Sequence, residues 1–250
     1  MPSLLKITLF SASLVSAAIT NTELQTAIPA SSGTTDLAAV QTIAAGESFD
    51  GEMLLWDRNP STCAGQTEGG DADAVFILED GATLSNVLIG PNNGEGVHCL
   101  GSCTINNVWF TDVCEDAMTF KQVSGTSFVN GGGAAGADDK VLQHNGGGTL
   151  AVKNFLAQNV GKVYRSCGNC DEQSARLSTF TNIRVEGAKV VAGVNGNLGD
   201  STTIEDSCLV GVDSVCDLFE GNDTGDEPSQ TASAPDGTTC ATSGVTLDSC

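Results

Sequence analysis

The sequence predicts an all-β chain wound as a single-stranded parallel β-helix. Three observations carry this expectation. First, short β-prone runs containing an asparagine or aspartate recur: "ATLSNVLIG", "CTINNVWFT", "TSFVNGGG", "LAVKNFLA", "TFTNIRVEG" and "TTIEDSCLV". Second, their markers Asn86, Asn107, Asn130, Asn154, Asn182 and Asp206 are spaced by 21, 23, 24, 28 and 24 residues. Third, each marker is followed by another short run, such as "EGVHCL", "EDAMTF", "DDKVLQ", "GKVYRS" and "AKVVAGV". A period near 23 with glycine or asparagine turns suits solenoid coils, each too small to bury its inner face alone. The competing architecture is a β-sandwich with coincidental spacing.

The elements follow in order. Residues 1–17 have the form of a secretory leader: Lys6, an apolar run from Ile7 to Val15, and a small-residue site at Val15-Ser16-Ala17. The mature chain, 18–250, is then one domain. The span from Thr20 to Asp73 is expected to cap one end of the coils. The segment from about 220 to 250 reads as a loop-rich tail held by Cys240 and Cys250. Ten cysteines in an exported chain read as disulfides, with the pairing left open. Cys167 and Cys170 could instead suggest zinc or redox chemistry, but the chain has only two histidines. Asn222-Asp223-Thr224 forms a glycosylation sequon.

Charge narrows the function. The chain holds 31 acidic and 10 basic residues, a formal charge of −21. That argues against nucleic acid as a partner. After the leader no segment has the length of a membrane span. A secreted monomer is expected. Yet Lys121, Lys140, Lys153, Lys162 and Arg165 crowd into one short segment.

The repeat also groups carboxylates. Glu95 and Asp116 stand nine residues after Asn86 and Asn107, and Asp139 stands nine after Asn130. Coils stack about 4.8 Å apart, so these three are expected in one line, with Glu115 and Asp138 beside it. Charges at that spacing repel by roughly 3 kcal/mol at an effective dielectric near 20. A hard cation with oxygen ligands, Ca²⁺ rather than zinc, would neutralise them. A solvated acidic face is the bland alternative. It accounts less well for Lys140, Lys162 and Arg165 beside the line.

The stretches "EGVHCLGSCTINNVWFTDVCEDAMTFK", "GADDKVLQHNGGGT" and "GKVYRSCGNC" resemble the signatures of secreted pectate lyases of polysaccharide lyase family 3. The resemblance runs from about Ala74 to Asp200. It implies a right-handed parallel β-helix, calcium dependence, and eliminative cleavage of polygalacturonate. Position by position it implies Glu95, Glu115, Asp116 and Asp139 as calcium ligands, although many relatives have aspartate where Glu95 stands. It implies Lys140 as catalytic base, and Lys162 and Arg165 as holders of substrate carboxylates. Arg165 is the rival base. Glu68 and Lys121 are further candidates for substrate contact.

The chemistry fits these residue types. Taking the C5 proton of a galacturonate requires that charge developing on its carboxylate be neutralised, which a metal and nearby cations can do. A lysine base must be neutral. Lys162, Arg165 and a bound cation would favour that, and Asp138 and Asp139 oppose it. Better activity at alkaline pH is expected. Two other readings stay open: a polygalacturonase-type hydrolase using Asp138 and Asp139, and a calcium-stabilised β-helix that binds pectin without cleaving it. His98, His144, Trp56 and Trp109 read first as structural.

Overall fold

The computed structural model describes residues 21–250, so the expected leader lies outside the described residues. Within them are strands and two short 3₁₀ turns, with no α-helix. The strands wind into a parallel β-helix with three stacks. The first stack holds Gln41–Ile43, Ala74–Leu78, Glu95–Cys99, Asp116–Phe120 and Lys140–His144, then the later parts of Leu156–Ser166, Arg184–Asn195 and Cys208–Glu220. The second runs through Thr126–Asn130, Gly148–Lys153, Arg176–Thr181 and Ser201–Glu205. The third contains Thr34–Leu37, Gly133–Ala135 and the early parts of the long strands.

Thr83–Ile89 and Thr104–Phe110 each serve two stacks, bending in mid-strand at Asn86 and Asn107. Both residues are left-handed, with φ of 56° and 55°. Asn154, Asn182 and Asp206 take the same conformation at the equivalent corner. Asparagine tolerates this region better than other side-chain-bearing residues. Its amide also binds the next coil: Asn107 Nδ2 donates to Asn86 Oδ1 at 2.9 Å, and Asn182 Nδ2 to Asn154 Oδ1 at 2.7 Å.

One rung differs from the sequence reading. The left-handed corner of the middle coil is Gly131, with φ of 70°, and not Asn130. Asn130 pairs with Asn106. A Cβ on residue 131 would lie 2.7 Å from Thr22 Cα, because the N-terminal segment crosses here. Asn154 Nδ2 donates to Thr22 O at 2.8 Å, replacing the partner that glycine cannot supply. The crossing explains why asparagine gives way to glycine. The one-residue shift matters for the site.

Inward residues of successive coils form one apolar core, including Leu84, Ile105, Val129, Leu150, Phe180 and Ile204. Fully burying such a side chain contributes about 1.5–3 kcal/mol. Trp56 closes the core at one end against Phe49 and Phe76. Trp109 is buried outside the coils with Leu88 and Leu156 and donates to Asn107 Oδ1 at 2.7 Å. Neither tryptophan is placed for sugar stacking.

The ends are more ordered than the sequence suggested. Residues 34–58 form a coil of their own. The tail contains Cys240–Ser243, which extends the second stack, and Ser229–Ala232, which pairs antiparallel with the last strand of the first. All ten cysteines are paired: Cys63–Cys114, Cys99–Cys103, Cys167–Cys170, Cys208–Cys250 and Cys216–Cys240. Cys167 and Cys170 are therefore bridged and do not form a zinc site.

Candidate active site

Strand register sets the site. Along the first stack, Ala74, Glu95, Asp116, Lys140, Lys162 and Val190 are successive partners. Glu95 and Asp116 stack as expected. Asp139 does not continue their line; Lys140 does, because the Gly131 corner moves the coil by one residue. The row therefore changes from two carboxylates to two ammonium groups within four coils.

Asp139 still joins the cluster from beside the row. Its Oδ2 accepts from Lys140 Nζ at 2.5 Å, and its Oδ1 accepts from Lys162 Nζ. Lys140 Nζ also lies 3.3 Å from Asp116 Oδ1 and 3.4 Å from Glu115 Oε1. Oxygens of Glu115, Asp116 and Asp139 all lie within 4.8 Å of one another. Glu115 belongs to a second such group with Glu95 and Glu68. Glu68, expected at the substrate, thus stands among the carboxylates.

A covalent bridge explains Glu68. Cys63–Cys114 ties its loop to the residue before Glu115, and Gln66 Nε2 donates to Cys114 O at 2.5 Å. Gly69 completes the approach: its N–H donates to Glu95 Oε1 at 3.1 Å, and a Cβ there would meet that oxygen at 3.0 Å.

The electrostatics are unbalanced. Burial pushes Asp116 up to about 9, with Glu115 and Glu95 adding to the effect despite Lys140. Burial also raises Glu115. Burial works against Asp139, but hydrogen bonds from Lys140 and Lys162 hold it below the usual carboxylate range. Lys140 is pulled both ways. Burial would lower it, yet Asp116, Asp139 and Glu115 outweigh burial and hold it charged. Asp138, expected to oppose a neutral lysine, is exposed and supplies none of these contacts.

Two buried oxygens, Glu115 Oε2 and Asp116 Oδ1, accept no hydrogen bond; for Asp116 Oδ1 the nearby Lys140 ammonium offers ion pairing only. Buried acceptors without donors are costly. An all-carboxylate donor set with orphaned oxygens fits a hard divalent cation.

Arg165 lies three residues beyond Lys162, partnered by Gln143 and Gly193. Burial lowers its pKa, and its guanidinium sits 4.0 Å from the Phe219 ring centroid. A groove brings together Asp139, Lys140, Lys162 and Arg165, with Gln143 and Glu227 on its walls. Lys121 is not on it. Its ammonium is 2.7 Å from Asp71.

His98 reads as structural in the sequence and Asp71 carries no role there; the structure puts both beside Glu95. His98 is buried, with Nε2 at 2.9 Å from Glu95 Oε2 and Nδ1 at 2.7 Å from Asp71 Oδ1. Between Gly69 and His98 both oxygens of Glu95 are held. Only the place of His98 three residues after Glu95 hinted at this. His144 is buried and structural: Tyr164 OH lies 3.1 Å from Nδ1, and Gly147 O lies 3.2 Å from Nε2.

Comparison with known proteins gives one consistent result. The family model described as pectate lyase matches residues 25–226. Probable pectate lyase D of Emericella nidulans is 50% identical over 215 residues, covering 85% of this chain and 81% of that protein. Pectate lyase E of the same fungus is 48% identical over 210 residues, covering 83% and 81%. Among solved structures, the catalytic domain of pectate lyase PelI from Erwinia chrysanthemi superposes with a TM-score of 0.67 at 29% identity. It covers 87% of this chain and 98% of that one. PelI in complex with tetragalacturonic acid gives 0.65, also at 29% identity, covering 86% and 68%.

Proposed function

From the premise that this chain belongs to the pectate lyase family, we propose that it is a secreted, calcium-dependent enzyme cleaving (1→4)-α-D-galacturonan by β-elimination. The observation that carries the proposal is the row in which carboxylates at Glu95 and Asp116 meet ammonium groups at Lys140 and Lys162 on adjacent coils. A cation site beside fixed cations is what a uronate-binding cleft requires. The solved PelI complex with tetragalacturonic acid supports the substrate class.

Glu95, Glu115, Asp116 and Asp139 would hold Ca²⁺, and Glu68 adds a fifth carboxylate within reach of Glu95 and Glu115. Bound calcium would supply positive charge to a uronate carboxylate and so acidify its C5 proton. The protein's residues do the rest. Lys162 and Arg165 hold substrate carboxylates in the groove. Lys140 takes the C5 proton onto Nζ. The electron pair forms the C4–C5 double bond, and the 4-oxygen leaves with the departing chain. Lys140 can act only when its carboxylate neighbours are neutralised, because they now hold it charged. This ties its basicity to the metal ligands and favours alkaline pH. Lys121, paired with Asp71, is assigned to that contact and not to the sugar.

A second assignment has a specific observation behind it. Burial holds the Arg165 guanidinium below its ordinary pKa, whereas carboxylate neighbours hold Lys140 charged, which favours Arg165 as base. Hydrolysis by Asp138 and Asp139 is less well supported, because Asp139 is committed to two lysines. Five disulfides support export. The enzyme is proposed to act as a monomer.

The test is to incubate the protein with polygalacturonate and follow ultraviolet absorbance of the unsaturated product, with Ca²⁺ and with chelator. Absorbance should rise with Ca²⁺ only. Reducing ends without absorbance would indicate a hydrolase, and binding without either would indicate a non-catalytic pectin binder. Lys140→Ala should lower kcat about 10²- to 10⁴-fold. Near-normal turnover in that variant, with loss in Arg165→Ala, would transfer the role to Arg165.

A further inference from the structure

Arg165 occupies a slot assembled from three neighbouring coils. Its strand, Leu156–Ser166, pairs with Arg184–Asn195, which pairs with Cys208–Glu220. Directly across from Arg165 is Gly193. A Cβ on residue 193 would lie 2.9 Å from Arg165 Cδ and 3.4 Å from Phe219 Cε2. The side chain therefore crosses the next coil through the space that glycine leaves. One coil further, Phe219 meets the guanidinium face at 4.0 Å. A Cβ on Gly168 would lie 2.8 Å from Arg165 Nη2, so the far end of the slot also depends on a missing side chain.

Asn195 fixes the remaining direction. It is fully buried. Its Nδ2, with two N–H groups, is surrounded by Asp200 Oδ2 and Ser166 Oγ, each at 2.9 Å, and by Ser166 O and Cys167 O, each at 3.2 Å. With acceptors crowded around the nitrogen, the amide has one orientation, and Oδ1 must face the other way. There it accepts from Arg165 Nη1 at 3.1 Å. Arg165 also lines the groove shared with Lys140 and Lys162.

We infer that Gly193, Phe219 and Asn195, the last oriented by Asp200, are positioning residues that hold Arg165 in one pose for a substrate carboxylate. The inference rests on the proposed uronate-binding role of Arg165. It adds that the pose is built by two coils that contribute no other group to the site. Preorganisation of this kind matters because a long flexible cation otherwise loses rotamer freedom on binding.

The test is a double-variant cycle read on kcat and KM for polygalacturonate, with the thermal midpoint measured alongside. Phe219→Leu should lower kcat/KM about five- to tenfold, chiefly through KM, as the ring face is lost. Phe219→Tyr should keep kcat/KM within about twofold, because the face is retained. Gly193→Ala should lower kcat/KM by displacing Arg165. In an Arg165→Ala background both losses should shrink below about twofold, and Gly193→Ala should recover thermal midpoint because the clashing side chain is gone. Losses that persist undiminished in that background would overturn the inference, as would wild-type kinetics in both Phe219→Leu and Gly193→Ala. If the wild-type protein forms no unsaturated product, the proposed reaction fails by itself. The same cycle then reads the dissociation constant for polygalacturonate, where the same two outcomes decide.

Discussion

At His144 the histidine ring sits inside the coil stack between Phe120 and Tyr164. Burial there pushes its pKa down from 6.5 to about 4. The folded protein thus keeps the ring neutral at pH values where the unfolded chain would protonate it. Its contribution is complete above pH 6.5 and is lost as pH falls toward 4, where the unfolded state binds the extra proton. The expected loss across that window is roughly 3 kcal/mol. Urea unfolding at pH 7 and pH 4.5 should show it, and His144→Gln should show a smaller difference between the two. An equal difference in both proteins would mean that the ring binds its proton equally readily in the folded and unfolded chain. The sequence offered both histidines as structural, and for His144 the contacts agree. His98 was less legible, because its partner Asp71 comes from a 3₁₀ turn 27 residues upstream.

Among elements, the left-handed corners carry the fold's regularity. Asn154, with φ of 58°, donates to Thr22 and accepts from Asn182. Asn154→Ala should cost about 2–3 kcal/mol, from left-handed strain of about 1–2 kcal/mol and the lost side-chain hydrogen bonds. Asn154→Gly should cost less, since it removes only the hydrogen bonds. Chemical denaturation of the two variants measures the difference. These asparagines made the solenoid readable: a turn residue at a steady interval, between alternating apolar runs, has few other uses. The same reasoning missed the rung at Gly131. Asn130 has the expected side chain, but the N-terminal segment passing at Thr22 excludes any Cβ at the next position. A long-range crossing leaves no local sequence signal. The cost was a one-residue error in register, enough to put Asp139 in the line where Lys140 stands.

Across the whole molecule, the proposed calcium site would couple folding to metal binding. Calcium at a hundred times its dissociation constant should add about 2.7 kcal/mol, raising the thermal midpoint by roughly 5–10 °C for a domain of this size. Differential scanning calorimetry with calcium or chelator checks this. Glu95→Gln should reduce the rise, and so should paired Cys63→Ser and Cys114→Ser, which frees the loop carrying Glu68. An unchanged rise in both variants would move the cation elsewhere. The disulfide pairs were not legible, because ten cysteines admit many pairings and only the coil geometry selects one.

The strand Ser229–Ala232 reverses direction against the final coil. A stack of parallel coils has no intrinsic length: each new edge offers the same unpaired backbone groups as the one before it. Two such edges on different molecules could join end to end and continue as a filament. By running the opposite way over part of that edge, four exposed residues make the last coil a poor template for a second chain. What looked like a loop-rich tail thus also covers part of the edge at which a further coil would pair.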